Sequence, residues 1–216
     1  MAAREKQVAI YPAPITGAPI VYLPVVAGMG DDVLQCCRDL GCLPFTLVAI
    51  GGLDWNRQLS VLPCDAITAT SEPFAGEAAA FLHELTHKII PSIEEPLAAP
   101  PCLRAIAGYS LAGLFALWAC CKTDLFSREA SVSGSLWFPG FAEYLDENLP
   151  QGALDVAYLS LGKKEHKTPN RMMREVLADT KRCEQTLQDR GAKTLFECNP
   201  GNHFSEPPLR SAKGIA

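Results

Sequence analysis

A serine stands where an apolar, strand-like run turns directly into a helix-like run. Leu103–Ala107 is predicted to be a buried strand, Leu111–Ala119 is predicted to be helical, and only Gly108-Tyr109-Ser110 separates them. Such a sharp junction holds a serine in a strained conformation, projects its hydroxyl and places it at a helix N-terminus. The next backbone N–H, that of Leu111, then points to where negative charge develops on a substrate oxygen. The pattern predicts a catalytic nucleophile at Ser110.

The motif around this serine departs from the usual G-x-S-x-G. Ala112 takes the position of the second glycine, and the glycine follows one residue later, at Gly113. The alternative is that Ser110 is only a helix N-cap, a position that serine favours. The short motif alone leaves both interpretations open.

Two later residues could complete the chemistry of a nucleophilic serine. His203 lies in a Pro- and Gly-rich loop after the last apolar run and can act as the general base, and Glu165 follows the preceding strand and can orient it. The chain order serine, acid, histidine is one that such catalytic triads use. The acid has competitors nearby, and some hydrolases use a Ser–His pair alone. The titratable residues near Glu165 in the sequence are Asp155, His166 and Glu197.

A second motif suggests different chemistry. His83-Glu84-Leu85-Thr86-His87 is a literal H-E-x-x-H, in which two histidines on one helix face could bind zinc and Glu84 could act as a base. A third ligand is not evident, because Ile93 stands where an extended motif has histidine and no acidic residue lies between Glu95 and Asp124. The simpler interpretation is an amphipathic helix with both histidines on its flank.

Short apolar runs alternate with helix-like segments along the whole chain. Strands are predicted at Val8–Tyr11, Pro19–Val26, Phe45–Ile50, Leu103–Ala107, Ala130–Ser133, Leu154–Leu161 and Thr194–Cys198. Helices are predicted at Asp31–Leu40, Gly76–Ile90, Leu111–Cys121, Gly140–Leu149 and Asn170–Arg190. This alternation predicts an α/β fold with a mixed, mostly parallel sheet between helices, in which the first two strands form an antiparallel hairpin. Ligand chemistry is then expected at the carboxyl ends of the strands.

Composition narrows the class of protein. At 216 residues the chain is expected to form one globular domain over residues 1–216, and a net charge of −5 argues against binding to nucleic acid. No signal peptide or membrane-spanning segment is evident. The nine cysteines are odd in number and include two adjacent pairs in apolar segments, Cys36-Cys37 and Cys120-Cys121. They favour reduced thiols and a cytoplasmic location.

With these motifs in place, the sequence resembles the putative-esterase branch of the α/β-hydrolase superfamily. That branch includes enterochelin-type siderophore esterases, S-formylglutathione hydrolases and feruloyl esterases. The matching stretches are Pro19–Leu23, Ala107–Ala116, Ser131–Trp137, Leu159–Glu165 and Gly201–His203. The resemblance implies an α/β-hydrolase fold whose mostly parallel central sheet carries helices on both faces, without a large lid.

The resemblance also implies further site residues. A second oxyanion donor is expected around Val25 to Ala27, with the Val26 N–H as the candidate, although Pro24–Ala27 lacks the family's usual His-Gly or Asp-Gly. The segment after Phe45–Ile50 looks like the family's rim loop, so Trp55 and Arg57 could contact substrate. Trp137 is another candidate, and the alternative for each tryptophan is a place in the core.

Together these observations predict a serine esterase acting on a small, soluble ester or thioester through an acyl-enzyme. No metal or organic cofactor is required by this chemistry, and neither nucleic acid nor a membrane is an expected partner. The sequence is compatible with a homodimer. The remaining alternatives are the zinc peptidase of His83–His87 and a hydrolase-like binding module without activity.

Overall fold

A seven-stranded sheet forms the centre of the molecule in a computed structural model. The structure describes residues 6–26, 28–67, 71–148 and 154–216. Within these ranges the strands are β1 (Gln7–Tyr11), β2 (Ile20–Pro24), β3 (Thr46–Gly51), β4 (Pro63–Cys64), β5 (Phe74–Ala75), β6 (Arg104–Tyr109), β7 (Arg128–Val132), β8 (Val156–Gly162) and β9 (Lys193–Asn199). The helices are α1 (Met29–Asp39), α2 (Trp55–Gln58), α3 (Ala78–Glu84), α4 (Ile90–Glu94), α5 (Leu111–Cys120), α6 (Phe141–Glu147), α7 (Val176–Asp189) and α8 (Pro207–Ile215).

The sheet has the strand order β1-β3-β2-β6-β7-β8-β9 and is parallel except at β1. The predicted mixed, mostly parallel sheet is therefore confirmed. The predicted hairpin of the first two strands is wrong, because β1 pairs antiparallel with β3 and β2 lies between β3 and β6. Both edges of β2 are occupied by parallel neighbours. Residues 12–19 need to cross only two strand spacings, about 10 Å, which eight residues can easily span.

Helices cover both faces of the sheet, as predicted. On one face, α1 and α8 pack on Leu23, Ala107 and Val132. On the other face, α3, α5, α6 and α7 cover Tyr22, Ile106 and other apolar side chains. All ten residues of α5 are buried. The helix that begins directly after Ser110 is thus enclosed by the core, which holds its N-terminus in place.

The connection from β3 to β6 is more divided than the sequence indicates. The single helix predicted over Gly76–Ile90 is α3, a π-helical turn at Leu85–Ile89, and α4. Before it, α2 and the two-residue pairing of β4 with β5 were not predicted, because such short elements carry no periodic apolar pattern.

The helix α8, at the end of the chain, was also not predicted from the sequence. It begins with Pro207 and Pro208 in its first turn, positions that tolerate proline because their N–H groups have no helical partner. Its buried side chains are Arg210, Ser211 and Ala212, which do not read as an apolar stripe. Among the described residues, no helix is both long and apolar enough to cross a membrane.

Candidate active site

Ser110 occupies the junction of β6 and α5 with φ 62° and ψ −122°. A non-glycine residue with such a positive φ costs on the order of 1–3 kcal/mol and persists only where its surroundings enforce it. Here the Ser110 N–H donates to the Val132 carbonyl at 3.0 Å, and the Ser110 carbonyl accepts from the Ser135 N–H at 3.0 Å. Ser110 stands at the N-cap position, but its hydroxyl makes no capping hydrogen bond. The hydroxyl is free for other chemistry.

Two glycines permit this junction. A Cβ on Gly108 would lie 2.1 Å from the Ala112 carbonyl oxygen, and a Cβ on Gly113 would lie 2.9 Å from the Gly108 oxygen and 3.0 Å from Gly134 Cα. The Ala112 side chain, by contrast, is accommodated with no exposure. The crowded positions of this elbow are therefore Gly108 and Gly113, which explains why alanine is tolerated in the usual second glycine position.

Three predicted residues from three strand ends meet at this junction. His203 Nε2 lies 2.9 Å from Ser110 Oγ, and His203 Nδ1 lies 2.9 Å from Glu165 Oε2. Glu165 follows β8 and His203 follows β9, so both stand at the carboxyl edge of the sheet beside the end of β6. The arrangement provides a hydroxyl, a base in hydrogen-bond contact with it and a carboxylate behind the base.

The competing acids lie elsewhere. Asp155 precedes β8, at the amino edge of the sheet, where its N–H donates to the Ser127 carbonyl. Glu197 accepts from the Tyr158 hydroxyl at 2.6 Å and pairs with Lys213. The structure brings only Glu165 of these carboxylates to His203 within the described ranges.

The Glu165 carboxylate is buried, with 5% of its side chain exposed. Its Oε1 accepts hydrogen bonds from Ser133 Oγ at 2.8 Å, the Gly162 N–H at 2.5 Å and the Arg210 guanidinium at 3.1 Å. Burial by itself raises the pKa of a carboxyl, but the hydrogen bonds from His203, Gly162 and Ser133 outweigh it and lower the pKa of Glu165 below its ordinary value. Glu165 is therefore ionised at neutral pH and can orient a base.

The two predicted oxyanion donors follow the carboxyl ends of the neighbouring strands β2 and β6. The Leu111 N–H is in the first turn of α5 and has no acceptor among the described residues. Tyr22 of β2 pairs with Ile106 of β6, and Val26 and Ser110 each follow four residues later, beyond the ends of these strands. The Val26 N–H has no described acceptor either, whereas the Val25 N–H donates to the Ile50 carbonyl at 2.9 Å. Ala27 lies outside the described residues.

The predicted substrate contacts have different environments. Trp137 is only 8% exposed and packs edge-on against Phe74, so the structure favours the core interpretation for this indole over substrate contact. Trp55 is half-buried in α2 against the core. Arg57 is exposed and pairs with Glu77 at 2.7 Å. Contact of Trp55 and Arg57 with substrate stays a prediction.

The H-E-x-x-H segment does not form a compact set of ligands. His83 and His87 are exposed, and their rings stack with centroids 4.1 Å apart. His87 Nδ1 lies 2.8 Å from Thr86 Oγ1, and Glu84 lies 3.9 Å from the Lys6 ammonium. In the described part of the chain, no group of three or more His, Cys, Asp or Glu side chains is placed to hold a metal ion. A third zinc ligand is lacking there.

Three residues of this site were missed by the sequence analysis. Tyr109 donates from its hydroxyl to the His203 carbonyl at 2.6 Å, Ser133 donates to Glu165, and Arg210 contacts both Tyr109 and Glu165. Ser133 lies within a matching stretch of the resemblance but has no distinctive spacing. Arg210 carries no local signal, because α8 itself was not predicted.

Two clefts of about 330 and 230 Å³ open at the opposite edge of the sheet. Their linings include Phe45, Ile20 and Thr46, which precede or begin the parallel strands β2 and β3. Neither cleft adjoins Ser110.

Comparison with known proteins gives concordant results. Residues 61–206 match the model of the family described as "Putative esterase". The uncharacterised protein YbbA of Bacillus subtilis is 30% identical over 184 residues, which are 81% of this chain and 73% of that protein.

Solved structures share the fold. An IroE-like serine hydrolase from Shewanella oneidensis superposes with a TM-score of 0.80 at 18% identity, over 97% of this chain and 74% of that one. The siderophore hydrolase EstA from Aspergillus nidulans gives 0.68 at 17% identity, over 99% and 94% of the two chains. The enterobactin esterase Fes from Shigella flexneri gives 0.69 at 18% identity, over 97% and 54%. The seven-stranded sheet with its flanking helices is thus that of the α/β-hydrolases.

Proposed function

Because the chain belongs to the Putative esterase family of carboxylic-ester hydrolases, we propose that it cleaves esters through an acyl-enzyme formed on Ser110. The observation that carries this proposal is the pair of 2.9 Å contacts from Ser110 Oγ to His203 and from His203 to Glu165. A strained serine at a helix N-terminus, next to an oriented imidazole, is the arrangement that activates a hydroxyl at neutral pH.

The first half-reaction forms the acyl-enzyme. His203 Nε2 takes the proton of the Ser110 hydroxyl as Oγ attacks the ester carbonyl carbon, and Glu165 holds the imidazole through Nδ1–H and stabilises its positive charge. The N–H groups of Leu111 and Val26 donate to the oxygen that becomes negative. The tetrahedral intermediate collapses when the carbon–oxygen bond to the alcohol breaks and the imidazolium returns its proton to that alcohol.

The second half-reaction regenerates the serine. His203 removes a proton from water, the hydroxide oxygen attacks the acyl carbon, and the Ser110 ester bond breaks with the proton returned to Oγ. These steps need the side chains and backbone donors of this chain and water. A thioester could react in the same way, and an alcohol in place of water would lead to acyl transfer.

The substrate is proposed to be a small, soluble ester. Support comes from the position of the site at the surface: 23% of the His203 side chain is exposed, and Phe204, beside it, is 83% exposed. Hydrolysis of p-nitrophenyl acetate and p-nitrophenyl palmitate, each below its solubility limit, tests this point. A higher kcat/KM for the acetate is expected, and a preference for the palmitate would contradict a small substrate.

Covalent labelling with a fluorophosphonate tests the mechanism. Wild-type protein should be labelled and Ser110→Ala should not. Ser135→Ala is the matched control, because its Oγ lies only 3.5 Å from that of Ser110 but makes no hydrogen bond with His203 in the described part of the chain. Labelling of Ser110→Ala would overturn the proposal.

The alternatives give different outcomes in the same preparation. Stoichiometric zinc that is lost on His83→Ala would favour a metallopeptidase, and absence of both labelling and turnover in folded wild-type protein would favour a binding module. A reducing, cytoplasmic location is proposed together with the activity, since all nine cysteines are free thiols and Cys120, Cys121 and Cys183 are buried. Nine titratable thiols in unfolded protein purified without reductant would agree with this location.

A further inference from the structure

Arg210, on α8, is almost completely buried next to the candidate triad. We propose that Arg210 is a positioning residue that holds the acid and the loop of the base together, and that its charge sets the pH at which the base becomes active. The inference rests on the proposed esterase function. Arg210 is not expected to touch substrate.

The guanidinium of Arg210 contacts four acceptors, three at Nη1 and one at Nη2. Its Nη1 lies 3.1 Å from Glu165 Oε1, 3.1 Å from Ser133 Oγ and 3.4 Å from the Tyr109 hydroxyl, and its Nη2 donates to the Pro200 carbonyl at 2.6 Å. The side chain is 2% exposed. Burial of a charge is costly unless it is paired and hydrogen-bonded, and these contacts provide the compensation.

The surrounding backbone leaves room for the guanidinium. A Cβ on Gly162 would lie 2.9 Å from Arg210 Nη2 and 3.0 Å from Nη1, so a side chain at the end of β8 would displace it. Helix α8 itself approaches the sheet closely at Gly214, where a Cβ would lie 2.8 Å from Val132 Cγ2. Both glycines allow α8 to deliver one long cationic side chain beneath the triad.

The contacts of Arg210 join the ends of four adjacent strands. Tyr109 ends β6, Ser133 follows β7, Glu165 follows β8 and Pro200 follows β9. The same guanidinium therefore fixes the carboxylate and anchors the loop that carries His203. The planar fork presents Nη1 to the groups of three strand ends and Nη2 to the Pro200 carbonyl, whereas a lysine ammonium is a single point charge.

The positive charge of Arg210 also acts electrostatically on the Glu165–His203 pair. Arg210 Nη1 lies 3.1 Å from Glu165 Oε1, so its positive charge offsets part of the negative charge that Glu165 presents to the His203 imidazole. Removal of the cation should thus move the acidic limb of the pH–rate profile to higher pH. Loss of positioning alone would lower kcat without moving that limb.

Other charged and titratable groups around the pair leave Arg210 as the dominant buried charge. Tyr109 faces the pair from β6, and Lys213 of α8 is already paired with Glu197 of β9. Four more titratable residues follow β8 on the turn that carries Glu165. Of these, Lys163, Lys164 and Lys167 are exposed and His166 is half-exposed. Solvent screens exposed charges far more than buried ones.

The test compares the pH dependence of kcat/KM for p-nitrophenyl acetate in Arg210→Met, Arg210→Lys and wild type. In Arg210→Met we expect kcat to fall roughly 10-fold or more and the acidic limb to move up by about one pH unit. In Arg210→Lys we expect a limb close to that of wild type with a lower kcat, because charge is kept and the fork is lost. Arg104→Met is the matched control, since it removes an Arg–Glu pair at the opposite end of β6.

The outcomes separate the proposal from its alternatives. An acidic limb in Arg210→Met that coincides with that of wild type would overturn the charge effect, and wild-type kcat in Arg210→Lys would overturn the positioning role. If Arg210→Met does not fold, the proposal is tested by Arg210→Lys alone, through its kcat and the position of the acidic limb of its pH–rate profile. Wild-type protein that lacks Ser110-dependent turnover would instead overturn the esterase function, and Arg210 with it.

Discussion

The Tyr109 hydroxyl donates a 2.6 Å hydrogen bond to the backbone carbonyl of His203. Tyr109 is the last residue of β6 and directly precedes the nucleophile, so this bond ties the serine elbow to the loop of the base. The two rings lie 5.5 Å apart between centroids. The nucleophile and the base are therefore linked by a contact made one residue away from Ser110.

Tyr109→Phe should loosen this connection while keeping the ring. We expect kcat to fall about 10-fold and the free energy of unfolding to fall by about 1 kcal/mol, the usual net value of one hydrogen bond. Tyr158→Phe is the control, because it removes a 2.6 Å hydrogen bond to Glu197 away from the triad. Steady-state kinetics and urea denaturation of both variants measure the effects, and equal kcat losses in the two would contradict a specific role of Tyr109.

Glu165→Gln should remove the negative charge behind His203 at nearly constant shape. Because the imidazole then loses its orienting acceptor and the stabilisation of its cation, we expect kcat to fall by roughly 10²- to 10⁴-fold. Glu197→Gln is the control, since that carboxylate lies within β9 and pairs with Lys213. Comparable kcat values for Glu165→Gln and wild type would show that a Ser–His pair suffices.

Val26→Pro tests the second oxyanion donor, because proline removes the backbone N–H. We expect a roughly 10²- to 10³-fold loss of kcat with little change in KM. Val26→Ala keeps the N–H and should behave as wild type, since the Val26 side chain is 53% exposed. Burst kinetics that resolve acylation from deacylation would locate the loss, and an unimpaired, folded Val26→Pro would exclude this donor.

Gly108→Ala should disrupt the elbow. Its Cβ would lie 2.1 Å from the Ala112 carbonyl oxygen, too close for the buried backbone to absorb without moving α5. We expect loss of labelling at Ser110 and a destabilisation of about 1–3 kcal/mol. The companion variant Ala112→Gly restores the usual motif, and it should leave activity unchanged and cost about 1 kcal/mol of helix stability. Increased activity in Ala112→Gly would contradict the role assigned to Gly113.

Glu129→Gln should change the dependence of stability on pH. Glu129 of β7 is 3% exposed, neither carboxylate oxygen has a hydrogen-bond partner in the described part of the chain, and burial raises its pKa well above the ordinary value. The stability linked to a raised pKa is fully present below the unfolded pKa, about 4.3, and is lost as pH rises towards the folded pKa. Each unit of that rise corresponds to about 1.4 kcal/mol.

We therefore expect Glu129→Gln to gain stability relative to wild type as the pH rises above the unfolded pKa, measured by urea denaturation. Glu197→Gln should show the opposite trend: burial raises the pKa of Glu197, but hydrogen bonds from Lys213 and Tyr158 outweigh it and lower that pKa. Its contribution is present above the unfolded pKa and is lost as pH falls. Parallel pH curves for Glu129→Gln and wild type would mean that Glu129 is not buried as a neutral acid.

Much of the architecture was predictable from local patterns. The main strands were predicted close to their observed positions, because the length and spacing of apolar runs differ between buried strands and helices. The partner of β1 was not predictable in this way. It depends on which strand edge remains open once β2 is enclosed by β3 and β6, and that is a property of the whole sheet.

The sequence by itself determined the candidate nucleophile and the order of its partners. Ser110 stands at a strand-to-helix junction of small residues, and Glu165 and His203 follow later strands, so their approximate convergence comes from the rule that parallel strands end at one edge. The tertiary structure alone decided that Glu165 rather than Asp155 or Glu197 meets His203. It also placed Trp137 in the core and Arg210 beneath the triad. These outcomes depend on long-range packing and on the burial of charge, which spacing along a chain does not encode.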